Sequence, residues 1–520
     1  MNNKSTSADI TRKDIPIWQI LCVIVFAIAL LLYTLTQVDG ATTHGALIVS
    51  AVVAAAVAMY NGYSWSYIER SIINNIRDIM KAVFILIIVG MIISTWIHAG
   101  IIQTMIYYGL VILNPQIFFV TAFLLCASMS LATGTSWGTV GTLGVALIGI
   151  AMGMGVSLPI TAGAAVSGAY FGDKLSPLSD STHLNAAVSG VDVYEHIKHM
   201  LWVTVPATII SLILFAVLGA TGAGNGSDAA GVTQYYFMRA FTDNYFISPI
   251  LLLGPVLIVV LIILKIPPIP GLIAGVFIGI IFGAIFQTGA GFAGYNALEQ
   301  IGAALYGGYD PARIVAAISA AEAAGADEEV IYALDTVRRL LTRGGILRMW
   351  YAISVVMCAM AFGGVLESTN MLVTLTKKIV SMTKSAGSLV LTTSISAIFI
   401  NITAADQYMS LLLGAKMFRR AYEDKKIHNK NLARVLENSG TMTSAMVPWN
   451  TCGAFMAAAL GVSVLEYTPY FFLGLIGVPI VIIYGYMGIT MPKLNDEEYA
   501  EILRKREQDE LDAAGAAGTV

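Results

Sequence analysis

The segment YFGDKLSPLSDSTHL, residues 170–184, is a polar stretch between long apolar runs. Asp173 and Asp180 are seven positions apart, which would place them on one face of an unbroken helix, but Pro177 lies between them and argues against a continuous helix. In lipid every backbone polar group needs a partner, so such a break is tolerated only where protein or a water-filled cavity surrounds it. The segment therefore predicts a broken membrane helix that borders a site.

The composition is that of a polytopic membrane protein. Of the 520 residues, 57% are hydrophobic and 12% are charged, whereas soluble domains carry about 25% charged residues. Apolar runs such as 17–35, 82–97, 201–218, 247–264 and 470–486 approach or reach the roughly 20 residues of a spanning helix. We expect an all-α fold of about ten transmembrane helices. No basic patch is interleaved with aromatic residues, so nucleic acid is not an expected partner, and the four cysteines show no paired spacing that would indicate a metal site or disulfides.

Lysine and arginine in the loops predict the orientation, because they are enriched in cytoplasmic loops. By this rule the N-terminus (1–16), the loop that contains Lys81, the strongly basic loop 416–434 and the charged tail (491–520) all lie in the cytoplasm. Residues 288–345 are mixed in charge and rich in alanine. They predict amphipathic surface helices, and counting turns places them outside.

Two pairs of polar islands indicate a long internal repeat. In residues 17–222, TGTSWGT (133–139) precedes SPLSDST (176–182), and in residues 247–488, NITAADQY (401–408) precedes VPWNTCG (447–453). The first island of each half predicts the tip of a re-entrant hairpin, and the second predicts an unwound helix. The predicted hairpins cover about 116–155 and about 386–416, and the predicted broken helices cover about 159–196 and about 435–465.

The loop orientation makes the two hairpins open to opposite sides of the membrane, as in inverted repeats. Paired interruptions in corresponding places mark the binding site of a transporter. The alternative is that the hairpins are ordinary spans whose Ser and Thr side chains bond to the backbone.

Asp180 is the leading candidate for binding the cation or proton, and Asp173 is the second. Charged side chains at membrane depth mark ion pathways and proton relays. Lys174 offers Asp173 a counter-charge, which leaves Asp180 as the less compensated carboxylate. A buried carboxylate that holds either Na⁺ or H⁺ is the simplest basis for exchange of the two ions. The alternative is that either aspartate caps a half-helix or forms an internal salt bridge.

Hydroxyl and carbonyl oxygens near these carboxylates would replace the water around a hard cation. The candidate cation- and proton-binding residues of the first half are Asp180, Asp173, Ser179, Ser176, Thr182, Ser136, Thr139 and Thr135, with Na⁺ held at Asp180 and Asp173.

The islands of the second half predict a second ion site or a site for an organic substrate. Their candidate residues are Asn401, Thr403, Asp406, Asn438, Thr441, Ser444, Asn450 and Thr451, of which Asn450, Thr403 and Ser444 would suit a carboxylate substrate. Glu437 is a further candidate carboxylate within the membrane. The equally supported alternative is that Glu437 forms a salt bridge with Arg434 at the membrane edge.

Several of these motifs resemble the NhaC family of sodium/proton antiporters. They are GTSWGT, SGAYFGDKLSPLSD, and LLTRGG followed by FGGVLE, and the similarity extends from about residue 45 to 490. The resemblance implies Na⁺ coupling and places Asp173, Ser176, Ser179, Asp180 and Thr182 at the ion site. It also implies two inverted repeats with opposed hairpins, an elevator-type movement and a homodimer.

The function that follows is secondary active transport of Na⁺ against H⁺ across a bacterial cytoplasmic (inner) membrane, with a role in pH homeostasis. Membrane lipid is the expected surroundings, no cofactor is expected, and no nucleophile with an adjacent base indicates an enzyme. Relatives of the family include malate/lactate exchangers and Na⁺-coupled amino-acid carriers. A Na⁺-coupled organic-anion or amino-acid carrier therefore remains the alternative, and a fixed cation such as Lys174, free of Asp173 and facing a cavity, would favour it.

Overall fold

The described part of the chain is almost entirely helical. The computed structural model describes residues 15–37, 43–222, 230–264, 266–287, 297–380 and 383–517. Most of the predicted N-terminal segment 1–16 therefore lies outside the described residues. The helices are α1 Ile17–Gln37, α2 Thr43–Tyr60, α3 Trp65–Asp78, α4 Met80–His98, α5 Ile101–Ile112, α6 Phe118–Thr133, α7 Ser136–Thr139, α8 Val145–Met154, α9 Leu158–Leu175, α10 Asp180–Ser189, α11 Val193–Ala220, α12 Ala230–Asn244, α13 Leu253–Ile263, α14 Pro268–Phe286, α15 Ala297–Gly307, α16 Ala312–Ala323, α17 Glu328–Leu341, α18 Ile346–Ser368, α19 Met371–Val380, α20 Ala386–Thr403, α21 Gln407–Asp424, α22 Lys430–Leu436, α23 Met442–Ser444, α24 Thr451–Leu460, α25 Val464–Tyr467, α26 Phe472–Met487 and α27 Asp496–Ala517.

Within the described ranges, nine helical stretches are long and apolar enough to cross a membrane, or up to eleven if two bent pairs each count as one span. The expected ten falls between these numbers. Their outer faces expose large apolar side chains such as Val25, Ile213 and Phe277, as lipid-facing helices require. The prediction of an all-α polytopic membrane protein is confirmed.

The predicted hairpins correspond to helix pairs joined by tight turns. The first consists of α6, a turn at Gly134, and then α7, a π-helical turn at Val140–Gly144 and α8. The second consists of α20 and α21, and α21 continues to Asp424, beyond the predicted end near residue 416. The stretches Pro115–Thr133 and Ser136–Met154 are each 19 residues long, which is enough to cross a membrane. The re-entrance of the first hairpin therefore stays a prediction.

The tip of the first hairpin is held against the break in α9 by close packing between α6 and α9. A Cβ atom at Gly172 would overlap the backbone nitrogen of Leu131, so only glycine permits this approach. The Ser130 hydroxyl donates to the Ala169 carbonyl across the same contact at 2.6 Å. The helix pair thus fixes the position of both polar islands of the first half.

The described part of 288–345 forms the three short helices α15, α16 and α17, and none of them is a candidate span. Helix α17 buries Val337, Leu340 and Leu341 and exposes Glu328 and Glu329. This one-sided burial is that of an amphipathic helix. The location of 288–345 at the outer surface stays a prediction. Residues 288–296 lie outside the described ranges.

The C-terminal helix α27 is docked on the basic loop 416–434. Arg506 bonds Glu423 at 2.6 Å and Asp424 at 2.7 Å, and Lys426 bonds Asp496 at 2.9 Å. The tail and the basic loop therefore lie on the same side of the molecule. Which side of the membrane this is stays a prediction of the charge rule.

Glu423 is the central carboxylate of this docking contact. Its burial works to raise its pKa, but hydrogen bonds from Asn429 and from the two arginines Arg506 and Arg419 outweigh burial. The pKa of Glu423 therefore lies below its usual value, and the carboxylate is charged when the tail is docked.

Candidate ion-binding site

The break in the first half lies where the polar segment predicts it. Helix α9 ends at Leu175, and Ser176 has an extended backbone with φ −80° and ψ 129°. Ser179 then caps α10 and accepts a hydrogen bond from the Thr182 backbone N–H. The predicted range 159–196 thus contains α9, the break and α10, and it also runs past the end of α10 into α11.

The break in the second half has the same construction. Helix α22 leads through a π-helical turn, Glu437–Thr441, into α23, which ends at Ser444. Asn450 caps α24 and accepts from the Cys452 backbone N–H at 3.0 Å. The predicted interruption around VPWNTCG is therefore present.

Each hairpin tip contains a residue in the left-handed conformation followed by a helix cap. Gly134 has φ 70° and is followed by Thr135, whose side chain accepts from the Gly138 N–H. Ala405 has φ 55° and is followed by Asp406, which caps α21. Gly is the usual residue at such a position, and Ala405 is strained there.

The tip and the break are equally spaced in the two halves. Gly134 and Pro177 are 43 positions apart, and so are Ala405 and Pro448. The matched positions include the cap pairs Thr135 with Asp406 and Ser179 with Asn450.

Asp173 lies in the last turn of α9 and is held by two serines. Its Oδ2 accepts from the Ser136 N–H at 3.2 Å and the Ser136 hydroxyl at 2.6 Å, and its Oδ1 accepts from the Ser179 hydroxyl at 2.6 Å. Asp173 is 6% exposed. The contact joins the tip of the first hairpin to the break in α9.

Asp406 makes the equivalent contact in the second half with the partners exchanged. Its Oδ1 accepts from the backbone N–H groups of Tyr408 and Met409 at 2.8 and 3.1 Å, and its Oδ2 accepts from the Thr451 hydroxyl at 3.1 Å. Here the carboxylate is on the hairpin tip and the hydroxyl is on the broken helix. In the first half the carboxylate is on the broken helix.

Both carboxylates face one cavity of about 710 Å³. Its charged lining is mainly acidic, with four aspartates against one lysine among the residues that line it. An acidic cavity of this kind concentrates cations. The charged lining residues are Asp78, Lys81, Asp173, Asp180 and Asp406.

Asp180 is paired at the rim of this cavity, contrary to the expectation that it is the less compensated carboxylate. Its Oδ2 bonds Lys81 Nζ at 2.9 Å, and the two side chains are 52% and 61% exposed. Lys174 does not neutralise Asp173 either, since its Nζ donates to Asn438 Oδ1 at 3.1 Å. The structure therefore ranks Asp173 above Asp180 as a buried, uncompensated carboxylate.

Most of the other predicted residues of the first half lie behind the cavity lining. The Ser176 hydroxyl donates to the Leu131 carbonyl at 2.9 Å, the Thr139 hydroxyl donates to the Thr135 carbonyl at 2.9 Å, and the Thr182 hydroxyl donates to the carbonyls of Asp173 and Lys174 at 3.3 Å. None of the three lines the cavity. Thr135 and Ser136 do line it.

The predicted second site is only partly assembled. Asp406 and Thr451 line the cavity, but the other candidates do not. Asn401 donates to the Gly440 carbonyl at 2.5 Å and to the Thr443 hydroxyl at 3.0 Å, and Asn450 Nδ2 is 3.2 Å from the Asn401 carbonyl. Thr403, Asn438, Thr441 and Ser444 are likewise buried away from the cavity.

Sequence reasoning missed several lining residues, above all Lys81 and Trp137. Lys81 is 99 positions from Asp180, so no local pattern signals the pair. Trp137 follows Ser136 at the tip, and its ring stacks on Phe455 of α24 at 4.4 Å with an interplanar angle of 9°. This stack joins the first tip to the second broken helix, which brings the two halves into one site.

Comparison with known proteins finds similar sequences over most of the chain. The model of the Na⁺/H⁺ antiporter family matches residues 168–489, from the first broken helix to the end of α26. The chain belongs to the Na⁺/H⁺ antiporter family. It is 35% identical over 452 residues to the Na(+)/H(+) antiporter NhaC of Alkalihalophilus pseudofirmus, covering 86% of this chain and 91% of that protein.

Other relatives of this chain are named for the transport of different solutes. The chain is 38% identical over 444 residues to the Malate-2H(+)/Na(+)-lactate antiporter of Bacillus subtilis, covering 85% of this chain and 89% of the relative. It is 36% identical over 446 residues to the Arginine/ornithine antiporter ArcD of Halobacterium salinarum, covering 86% and 87%. The resemblance to the NhaC antiporters is confirmed. The relatives are transporters, and the antiporter family defines Na⁺ and H⁺ as transported ions.

Proposed function

We propose that this antiporter exchanges Na⁺ for H⁺ across the bacterial cytoplasmic membrane, with the two ions competing at Asp173. The observation that carries the proposal is a buried carboxylate, in a cavity, whose described hydrogen bonds all come from serines and none from a cation. A Na⁺ ion or a proton would supply the missing positive charge. A site of this kind holds one of the two ions at a time.

Helix dipoles support the choice of Asp173 among the cavity aspartates. Asp173 lies in the last turn of α9, where the partial negative charge of the helix end disfavours a second negative charge. Asp180 begins α10, and Asp406 caps α21, so both lie at helix N-termini, which stabilise carboxylates. Asp78 also ends a helix, α3, but it is exposed to solvent. Among the buried aspartates of the cavity, Asp173 therefore gains most from a cation or proton.

Asp406 and Thr451 form the opposite wall of the same site. Their oxygens face the cavity that Asp173 faces, so a Na⁺ ion entering it meets both halves of the molecule. We include inverted repeats, an elevator-type movement, a homodimer in lipid and cytoplasmic termini in the same proposal. With the loop of Lys81 on the cytoplasmic side, the cavity of this conformation opens to the cytoplasm.

The cavity volume of about 710 Å³ favours a second candidate function. A pocket of this size is in the range that accommodates a small organic molecule and is larger than a single cation requires. The acidic lining disfavours an organic anion, because Lys81, the one lysine among the described lining residues, is bonded to Asp180. An organic substrate with a cationic group fits these charges better than malate or lactate does.

Purified protein in liposomes with a trapped pH dye tests the proposal. A Na⁺ gradient is imposed with the membrane voltage clamped, alone and with malate, lactate, arginine or ornithine. A pH change on Na⁺ alone supports Na⁺/H⁺ exchange. A response only after an organic substrate is added would contradict it and would identify the class of cargo.

A further inference from the structure

A second group of buried polar side chains lies behind the cavity, between the two broken helices. It consists of Lys174 on α9, Asn185 on α10, His196 on α11, and Glu437 and Asn438 on the π-helical turn Glu437–Thr441. All five are 0% exposed. None of them lines the cavity. The cluster is therefore a separate feature that the ion site does not use.

Glu437 is not engaged in the salt bridge that its sequence neighbourhood allows. Arg434 donates instead to the Thr490 hydroxyl at 2.7 Å. The closest basic group to Glu437 is the imidazole of His196, with Nε2 at 3.6 Å from Oε2. An isolated buried carboxylate is costly, so the state of this pair depends on where a proton sits.

The hydrogen bonds of Asn185 show which atom of His196 can carry a hydrogen towards Glu437. Its amide donates to the Ala433 carbonyl at 2.8 Å and to Glu437 Oε2 at 2.7 Å, which uses both amide hydrogens. His196 Nε2, at 3.4 Å from the same nitrogen, is then not required as an acceptor. It is free to carry a hydrogen that points towards Glu437.

Two atoms of the pair have no hydrogen-bond partner among the described residues. They are Glu437 Oε1 and His196 Nδ1, and both are fully buried. Buried polar atoms are nearly always satisfied, so two unsatisfied atoms on neighbouring ionisable side chains need an explanation. A proton that is bound and released is the smallest ligand that fits, and it requires no extra volume.

We propose that Glu437 and His196 form a proton-binding site, distinct from the cation site at Asp173, that takes up one proton when Na⁺ leaves the cavity. The proposal rests on the proposed Na⁺/H⁺ exchange. No bond other than that to the proton forms or breaks: H⁺ adds to the carboxylate or to the imidazole, and the pair gains one positive charge.

Lys174 connects this pair to the cation site. Lys174 follows Asp173 in the chain, and its Nζ donates to Asn438, the neighbour of Glu437, at 3.1 Å. A Na⁺ ion at Asp173 adds a positive charge to the surroundings of the pair, and it repels any further positive charge there. Loss of Na⁺ reverses this effect.

The other ionisable groups around Glu437 come from the helices packed against its turn. Helices α20 and α23 contain no ionisable side chain, and α10 presents the neutral Asn185. The charged groups that act on Glu437 are Asp173 and Lys174 on α9, and Arg434 on α22 lies three positions before it in the chain. His199, Tyr422 and Tyr484 lie around Arg434. A Na⁺ ion at Asp173 would add to the positive charge of Lys174 and Arg434, so the proposal has the pair take up its proton when Asp173 is free of Na⁺.

The number of protons moved per Na⁺ measures the proposal directly. In the liposome assay, a pH gradient is set against a Na⁺ gradient until no net flux occurs, which gives the ratio. Glu437→Gln and His196→Gln are each expected to retain Na⁺ binding and to move one proton fewer per Na⁺ than the unmodified protein. His199→Gln is the matched control, because this buried histidine one turn on bonds Asn431 instead, and its ratio should be unchanged.

An unchanged ratio in both Glu437→Gln and His196→Gln would overturn the proposal. If Glu437→Gln does not fold, His196→Gln alone decides in the same way. If the unmodified protein shows no Na⁺-driven proton movement, it is the proposed function that fails, and infrared titration of the purified protein tests the proton site by itself. A carboxyl band that titrates in the unmodified protein and is absent from Glu437→Gln supports the site, and identical spectra refute it.

Discussion

Replacing Asp173 by Asn, with Asp180→Asn as its matched variant, is expected to distinguish the ion-binding carboxylate from the paired one at the cavity rim. Both changes remove one negative charge and keep the side-chain shape. Asp173 is 6% exposed and receives its described hydrogen bonds from Ser136 and Ser179. Asp180 is half-exposed and bonded to Lys81. The same chemical change therefore has different consequences at the two positions.

The magnitudes follow from these surroundings. A cation about 4 Å from a carboxylate gains about 4 kcal/mol at an effective dielectric constant of about 20. Asp173→Asn should thus weaken Na⁺ binding by about three powers of ten, since each 1.4 kcal/mol is about tenfold. For Asp180, solvent screens an exposed ion pair to about 0–1 kcal/mol, so Asp180→Asn should change Na⁺ affinity by no more than about fivefold.

The assay is Na⁺-driven pH change in liposomes over a range of Na⁺ concentrations, together with equilibrium Na⁺ binding to the purified variants. Asp173→Asn should show no exchange at Na⁺ concentrations that saturate the unmodified protein, while Asp180→Asn should retain it. Exchange that survives in Asp173→Asn but is lost in Asp180→Asn would refute the ranking and return the ion site to Asp180, as the sequence alone predicts.

Three further changes test other parts of the structure. Gly134 has φ 70°, and Gly134→Ala would place a Cβ atom 2.7 Å from the backbone of Leu178 in the facing break. This change should lower the free energy of unfolding by about 1–2 kcal/mol, measured by thermal unfolding in detergent. Gly45 has open space around it, so Gly45→Ala should not lower it. Thr451→Val removes the hydroxyl that donates to Asp406 at 3.1 Å and should weaken Na⁺ binding by about 1 kcal/mol, and Thr451→Ser should restore it. Equal Na⁺ binding by the unmodified protein and both variants would contradict a role for Asp406 and Thr451 in the site. Arg506→Gln should release the C-terminal helix, which would be measured as faster hydrogen exchange in residues 496–517. In the unmodified protein the docking should be lost as pH falls through the lowered pKa of Glu423, because a carboxylate with a depressed pKa stabilises only while it is ionised. Protection from exchange that persists at acidic pH would show that the ion pairs do not hold the tail.

The breaks and tips could be predicted from the sequence because local residues determine them. Proline disfavours a continuous helix through Pro177 and Pro448, and short polar residues such as Ser179 and Asn450 favour helix caps. Each signal lies within a few positions of the feature that it produces. The all-helical, membrane-spanning character follows just as directly from the long apolar runs.

The electrostatic partners could not be predicted, because they depend on side-chain direction and on distant segments. Lys174 follows Asp173 directly, but adjacent residues on a helix point in different directions and do not face each other. Lys174 therefore reaches Asn438, 264 positions away, and Asp180 is paired with Lys81, 99 positions away. Judging charge balance from neighbouring residues therefore ranked Asp180 above Asp173 as the uncompensated carboxylate, whereas the structure gives the opposite order.

The tips and breaks of the two halves have the same spacing along the chain but carry their carboxylates at different positions. This difference affects which carboxylate needs a bound cation. At matched positions, Asp173 corresponds to Ser444, and Thr135 corresponds to Asp406. Each half therefore has one buried aspartate in the cavity lining, but Asp173 lies at the C-terminal end of a helix and Asp406 lies at an N-terminal cap. Since the cap already stabilises Asp406 through two backbone N–H groups, only Asp173 depends on an added positive charge. Identical charges in the two halves would give two equivalent carboxylates in one cavity, whereas this arrangement agrees with the proposed role of Asp173 as the exchanging carboxylate and leaves Asp406 on the opposite wall.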